Sequence, residues 1–173
     1  MHLRPLAIQE LARVVEIDVS ESGSAVYSVV KDQLILMEES WQRPQRSANH
    51  WQPYIEHWEG LMERGGAAIG AFADSRLVGI AVIRYQLTES MAQLDALFVD
   101  GAYRRQGIAK ALVDEVSRLA RAGGVQELYV SATPSESAVG FYTSQGFTLA
   151  RPVNAELYER EPDDIHMVRA LSS

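Results

Sequence analysis

The stretch "LFVDGAYRRQGIAK", Leu97 to Lys110, decides how this chain is read. Its first residues are apolar strand formers and its last open a helical pattern. Between them lie two arginines and a glycine. A helix starting near Gly107 leaves its first backbone N–H groups without internal partners, and its dipole adds partial positive charge there. Gly107 removes a side chain where backbone must approach something closely, and Ala109 keeps the next contact small. Arg104, Arg105 and Lys110 add charge of the same sign. The set suits an anion, a pyrophosphate above all. Taken alone, the same residues also fit a solvated basic turn. They are not a P-loop, which needs Gly-Lys-Ser/Thr, nor the Gly-x-Gly-x-x-Gly dinucleotide fingerprint.

The neighbouring segments supply the context. Upstream, "AAIGAFA" (67–73) and "RLVGIAVIRY" (76–85) read as two strands around a turn at Asp74-Ser75, and "AQLDALFVD" (92–100) as a third. Downstream, "GIAKALVDEVSRLARAGG" (107–124) predicts a helix that buries Ile108, Ala111, Leu112, Val116 and Leu119 and stops at Gly123-Gly124. "ELYVSAT" (127–133) reads as a buried strand. "SESAVGFYTSQGF" (135–147) carries a short helix ending at Gly146, and "DIHMVRAL" (164–171) is a closing strand. A helix that crosses between the strands at 92–100 and 127–133 makes those two parallel, with a right-handed connection. The hairpins demand antiparallel pairing elsewhere. The expected fold is α/β, a mixed sheet with helices on its faces.

The N-terminal half reads as a strand at 2–5 and an amphipathic helix placing Ile8, Leu11, Val14 and Val15 on one face. "AVYSVVKDQLILMEE" (25–39) gives two strands turning at Lys31-Asp32-Gln33. A helix follows at 48–63, capped by Ser47 or Asn49, with Trp51, Ile55, Trp58 and Met62 on one side. No repeat, low-complexity tract or linker divides the 173 residues, so a single domain over 1–173 is expected, with an inserted hairpin at 25–39. A net charge of -7 argues against a general nucleic-acid binder. The absence of cysteine removes disulfides, thiolate metal sites and a cysteine nucleophile. The segment "MHLRPLAIQELARVV" lacks the apolar core of a signal peptide, and no apolar run approaches a membrane span, so a cytoplasmic protein without a membrane partner is expected.

Strand "LFV", then Arg-x-x-Gly-x-Ala opening a helix, then a parallel strand, then "SAVGFYTSQGF" closely resembles the GNAT superfamily of acetyl-CoA-dependent N-acetyltransferases. The family hallmark Gln/Arg-x-x-Gly-x-Gly/Ala is matched by Arg104, Gly107 and Ala109. Its second signature, a Phe-Tyr pair shortly before a Gly-Phe, is matched by Phe141-Tyr142 and Gly146-Phe147. The resemblance is strong over roughly 65–150, with the insertion at 25–39 and the tail at 151–163 outside the common core. It implies a GNAT fold whose parallel strands splay apart where the cofactor enters.

The resemblance also implies roles. Backbone amides of Arg105, Gln106, Gly107, Ile108 and Ala109 would bind the CoA pyrophosphate, with Arg104 and Lys110 assisting by charge. Backbone at Phe98 and Val99 would pair with the pantetheine arm, and the Val99 N–H would polarise the thioester carbonyl. Tyr142 matches the tyrosine that protonates the leaving sulfur, or it only packs beside Phe141. Ser135 stands where relatives carry a cofactor-contacting asparagine. Asp95 is the candidate base, expected on the same strand face as Val99 by simple alternation; the other reading is a solvated edge carboxylate. Trp51, Tyr54 and Trp58 form a wall for the acceptor, or belong to the core. His50 and His57 have no further ligand set, so no metal site is expected, and "YEREPDDIH" (158–166) borders the acceptor pocket or is a polar loop. The activity implied is direct acetyl transfer from acetyl-CoA to a primary amine, with a cationic acceptor favoured by the acidic balance. The alternative is a non-catalytic acyl-CoA-binding sensor of the same fold. The hairpin at 25–39 is the candidate for covering a site or contacting a second subunit in a homodimer.

Overall fold

The computed structural model of the protein describes residues 1–172. In chain order, β1 (His2–Pro5) leads into a 3-10 helix over Ile8–Glu16. A long hairpin follows, β2 (Glu21–Val30) and β3 (Gln33–Arg43), then α1 (Ala48–Glu63). The strands β4 (Ala67–Ala73), β5 (Arg76–Arg84) and β6 (Met91–Val99) run as an antiparallel meander. Then come α2 (Ile108–Ala122), β7 (Glu127–Ala132), α3 (Glu136–Ser144), β8 (Thr148–Leu149), α4 (Ala155–Arg160) and β9 (Ile165–Ala170). One sheet holds seven strands in the order β1-β4-β5-β6-β7-β9-β8; β2 and β3 form a separate two-stranded sheet. The pair β6–β7 is parallel, joined through α2, and the other pairs are antiparallel. This is the expected mixed α/β sheet with helices on both faces.

Each face of the sheet has its own core, as the near-continuous apolar runs of β4 and β5 require. On one face, Trp51, Ile55, Trp58 and Leu61 of α1 pack with Leu11 and Val14 against Phe72, Leu77, Ile80 and Val82. On the other, Leu112, Val113, Val116 and Ala120 of α2 pack with Val139 against Ile69, Ala81, Ile83 and Leu94. The stripe on α2 is close to the expected one, but Val113 and Ala120 are buried where Ala111 and Leu119 stay partly open. On α1 it is Leu61, not Met62, that completes the buried side. Ser47 caps this helix, its Oγ accepting from the His50 N–H at 3.3 Å.

The opening helix differs from its expectation for a geometric reason. It is 3-10, with three residues per turn, so Leu11, Val14 and Ile17 stack on one side. Ile8 heads the same row but is exposed at the open first turn, and Val15 falls off the row and is exposed. The hairpin is also longer than 25–39, since its pairing runs from Glu21↔Arg43 to Val30↔Gln33 with a bulge between Gly23 and Ala25. Its turn holds Lys31 and Asp32 at positive φ.

Two features of β6 set up the site. First, its pairing with β7 covers only Met91↔Glu127 to Leu94↔Val130; from Asp95 onward the two strands diverge. Second, its register against β5 jumps from Leu94↔Ile83 to Ala96↔Val82, so Asp95 is an extra residue in a bulge. The expected alternation therefore fails. Asp95 reaches towards α1, while Val99 packs with the cluster on the α2 side.

Candidate active site

The divergence of β6 and β7 opens a cavity of about 970 Å³. Its walls include Leu97, Phe98 and Val99 of β6, Val130 to Thr133 at the end of β7, and Ser135, Ala138, Phe141 and Tyr142 around α3. At one end sit Arg104, Arg105 and Gly107 to Lys110, where α2 begins.

That end is shaped by backbone. Gly107 caps α2 in the left-handed region, φ 82° and ψ 5°, and Arg105 also has positive φ, 61°. Left-handed residues just before a helix turn successive N–H groups to one side, and the first N–H groups of α2 add to them. The side chains do less than the sequence suggests. The Arg104 guanidinium donates to the Ser20 carbonyl at 3.1 Å. Lys110 pairs with Asp114 at 2.6 Å on the exposed helix face. Gln106 is not in the cavity wall; its amide turns back to the Ala102 carbonyl at 3.4 Å. Arg105 is exposed. The cradle is thus mainly amides and a helix end, with the arginines around it.

Along the α3 wall, Tyr142 is buried to 7 % exposure, in edge contact with Phe141 and Phe147. Burial pushes its phenol well above the ordinary tyrosine range, so the hydroxyl keeps its proton at neutral pH and has one to offer. Its hydroxyl has no hydrogen-bond partner among the described residues. Ser135 acts within the fold, its Oγ capping α3 by accepting from the Ala138 N–H at 3.2 Å. The β2–β3 hairpin is tied to this wall, with Val26 bridging Ser135 and the Tyr27 N–H donating to the Pro134 carbonyl at 2.7 Å. At its base, Arg43 pairs with Glu21 at 2.8 Å, both in the cavity wall. The insertion therefore borders the cavity from the end of β6 to the end of β7.

Opposite Tyr142, the bulge presents Asp95. Its carboxylate accepts from His57 Nε2 at 2.9 Å, from Trp58 Nε1 at 3.1 Å and from Gln93 Nε2 at 3.3 Å. The aromatic wall divides. Trp51 is fully buried and does not line the cavity, so it belongs to the core; Trp58 is also buried and shows the cavity little beyond its bond to Asp95. Tyr54 is 39 % exposed and faces the cavity. The Arg46 guanidinium lies 4.6 Å over Tyr54, 4.8 Å over Trp51 and 5.2 Å over Phe98. Beyond these, Arg160, Glu161 and Asp164 close the far wall. Burial first, and the Glu161 carboxyl second, push Asp164 up to about 8. Its Oδ2 accepts from Ser131 Oγ at 3.2 Å.

Sequence reasoning missed the parts His57 and Arg46 play here. Neither has a local signal: the partner of His57 lies 38 residues away, and the rings beneath Arg46 meet only in the fold.

A sheet whose central parallel strands part beside an amide-lined helix start defines an acyltransferase-like architecture, and likeness to known proteins places it. The family model for the acetyltransferase (GNAT) family matches residues 28–147, and the chain belongs to that family. Human N-acetyltransferase 8 is 41% identical over 92 residues, covering 50% of this chain and 40% of that protein. The match thus spans less than half of the relative's length. Among solved structures, nourseothricin acetyltransferase superposes with a TM-score of 0.77 at 17% identity, over 99% of this chain and 98% of its own. A Bacillus anthracis protein described as a streptothricin acetyltransferase, in complex with acetyl coenzyme A, superposes with a TM-score of 0.75 at 18% identity, over 99% and 98%. At such identities the likeness is one of fold.

Proposed function

We propose that the protein transfers the acetyl group of acetyl-CoA directly to a primary amine within a ternary complex. The observation that carries the reading is the cavity between diverging β6 and β7, which joins the amide-lined start of α2 to Tyr142 on one wall and Asp95 on the other. The N–H groups of Gly107 to Lys110 hold the pyrophosphate, and β6 from Leu97 to Val99 pairs with the pantetheine arm. The Val99 N–H polarises the thioester carbonyl.

The proton balance follows from the chemistry. An ammonium acceptor gives up one proton to a base, and the free amine attacks the thioester carbon. As the C–S bond breaks, Tyr142 protonates the thiolate and recovers its proton from the new amide nitrogen. One acetamide, one CoA thiol and one released proton result. The acidic side chain of Glu161 in the far wall suits an acceptor that arrives as an ammonium ion.

The test is thiol release from acetyl-CoA across a panel of primary amines, read with a thiol reagent; the chain has no cysteine to contribute background. Turnover on at least one amine is expected. Tight acetyl-CoA binding with no turnover on any amine would overturn catalysis and leave an acyl-CoA-binding module.

A further inference from the structure

We infer that the base of this reaction is the imidazole of His57, and that Asp95 is the positioning residue behind it. The inference rests on the acetyltransferase reading above.

Asp95 is poorly placed to take a proton itself. Its side chain is 8% exposed and all three of its partners, His57 Nε2, Trp58 Nε1 and Gln93 Nε2, sit on it as donors. The indole and amide N–H groups can do nothing else, so the carboxylate serves as acceptor throughout. A proton delivered there would displace one of these bonds inside a packed wall.

His57 differs in every respect. Its side chain is 30% exposed and lines the cavity. With Nε2 at 2.9 Å from an accepting carboxylate, the neutral ring carries its hydrogen on Nε2. The lone pair is then on Nδ1, which has no hydrogen-bond partner among the described residues. The ring can take the ammonium proton on Nδ1, forming an Nδ1–H bond as the substrate N–H breaks, and the resulting imidazolium rests against Asp95. The bulge separates the two strand positions: Asp95, next to inward-facing Leu94, keeps the α1 side within reach of His57, while Val99 beyond the extra residue falls on the α2 side.

Other charged groups share the cavity and bear on any pH profile. Tyr54 lies on the same helix, Arg46 just before it, and Tyr142 across the cavity. Arg160, Glu161 and Asp164 face it from α4 and the following loop, while Glu21 and Arg43 close on each other as an ion pair. Burial and the Glu161 carboxyl push Asp164 up to about 8, so the test includes its removal.

The experiment follows kcat and KM against pH with the fastest amine of the panel, in the wild type and in His57→Gln, Asp95→Asn and Asp164→Asn. The acidic limb of the kcat/KM profile is expected to vanish in His57→Gln, with kcat lower by about a hundred-fold or more and acetyl-CoA affinity retained. Asp95→Asn is expected to lower kcat with the same affinity, because an amide facing Nε2 favours the tautomer with its hydrogen on Nδ1. The limb persists in Asp164→Asn. Nitrogen NMR of the labelled protein reads the tautomer independently of turnover: His57 is expected as Nε2–H in the wild type and redistributed in Asp95→Asn. Wild-type turnover together with an unchanged limb in His57→Gln, or a wild-type Nδ1–H tautomer, overturns the inference. Absence of turnover in the wild type would instead end the acetyltransferase reading, and this one with it.

Discussion

The carboxylate of Asp100, almost wholly buried, lies 2.7 Å from Nη2 of Arg76. It also accepts from the backbone N–H groups of Asp18 and Ala102, each at 2.9 Å. One side chain thus ties the end of β6 and the start of the Arg104–Gly107 loop to the N-terminal segment and to β5.

Removing that tie should loosen the cofactor cradle as well as the fold. Asp100→Ala is expected to cost about 3 kcal/mol in urea unfolding, the low end for breaking a buried pair because Arg76 is half exposed. Acetyl-CoA affinity by calorimetry should fall with it, although Asp100 is not in the cavity wall.

Two glycines should respond oppositely to alanine. At Gly107 an added Cβ meets nothing within 4 Å, but φ is 82°, so Gly107→Ala should cost roughly 1–2 kcal/mol through backbone strain. Gly140 sits inside α3 with equally open space and no such constraint, so Gly140→Ala should gain up to about 1 kcal/mol. Gly107→Val should in addition lower acetyl-CoA affinity by about ten-fold or more, its side chain standing where the proposed complex brings the pyrophosphate.

Tyr142→Phe should separate catalysis from binding. The hydroxyl holds no partner among the described residues, so the melting temperature and acetyl-CoA affinity should stay near wild type. Loss of the proposed proton donor should lower kcat by about a hundred-fold or more, measured with saturating amine.

Asp164 predicts a stability that depends on pH. Its folded value, raised to about 8, stands above the ordinary 3.8 of the unfolded chain. The folded state therefore binds the extra proton, and the contribution is fully present below the unfolded value and lost as pH rises through the folded one. Melting temperature measured from about pH 6 to about pH 9 should fall more steeply in the wild type than in Asp164→Asn.

Much of the fold is legible in the sequence because its signals are local. The Arg104–Ala109 loop announces itself by a glycine at a strand-to-helix junction, and the faces of α1 and α2 by their 3.6-residue period. What stays hidden depends on distant partners or on short elements. A bulge adds one residue without a compositional mark, so counting along β6 puts Asp95 and Val99 on one face when they lie on opposite ones. The strand Thr148–Leu149 and the helix Ala155–Arg160 are too short to show a period, although Asn154, whose Oδ1 accepts from the Leu157 N–H at 3.0 Å, is a readable cap. Trp51 and Tyr54 are three residues apart on the same helix, yet one is sealed and the other faces the cavity; only the neighbouring sheet decides which.

The parting of β6 from β7 after Leu94 has a thermodynamic consequence. Beyond that point β6 turns the hydrogen-bonding edge of a central strand towards the cavity, and in the proposed complex the amides of pantetheine join it as a surrogate strand. Ligand binding and sheet completion are then one process. Acetyl-CoA should raise the melting temperature and slow amide exchange along Leu97–Val99 before any acceptor arrives, so that the cofactor is part of the architecture as well as of the reaction.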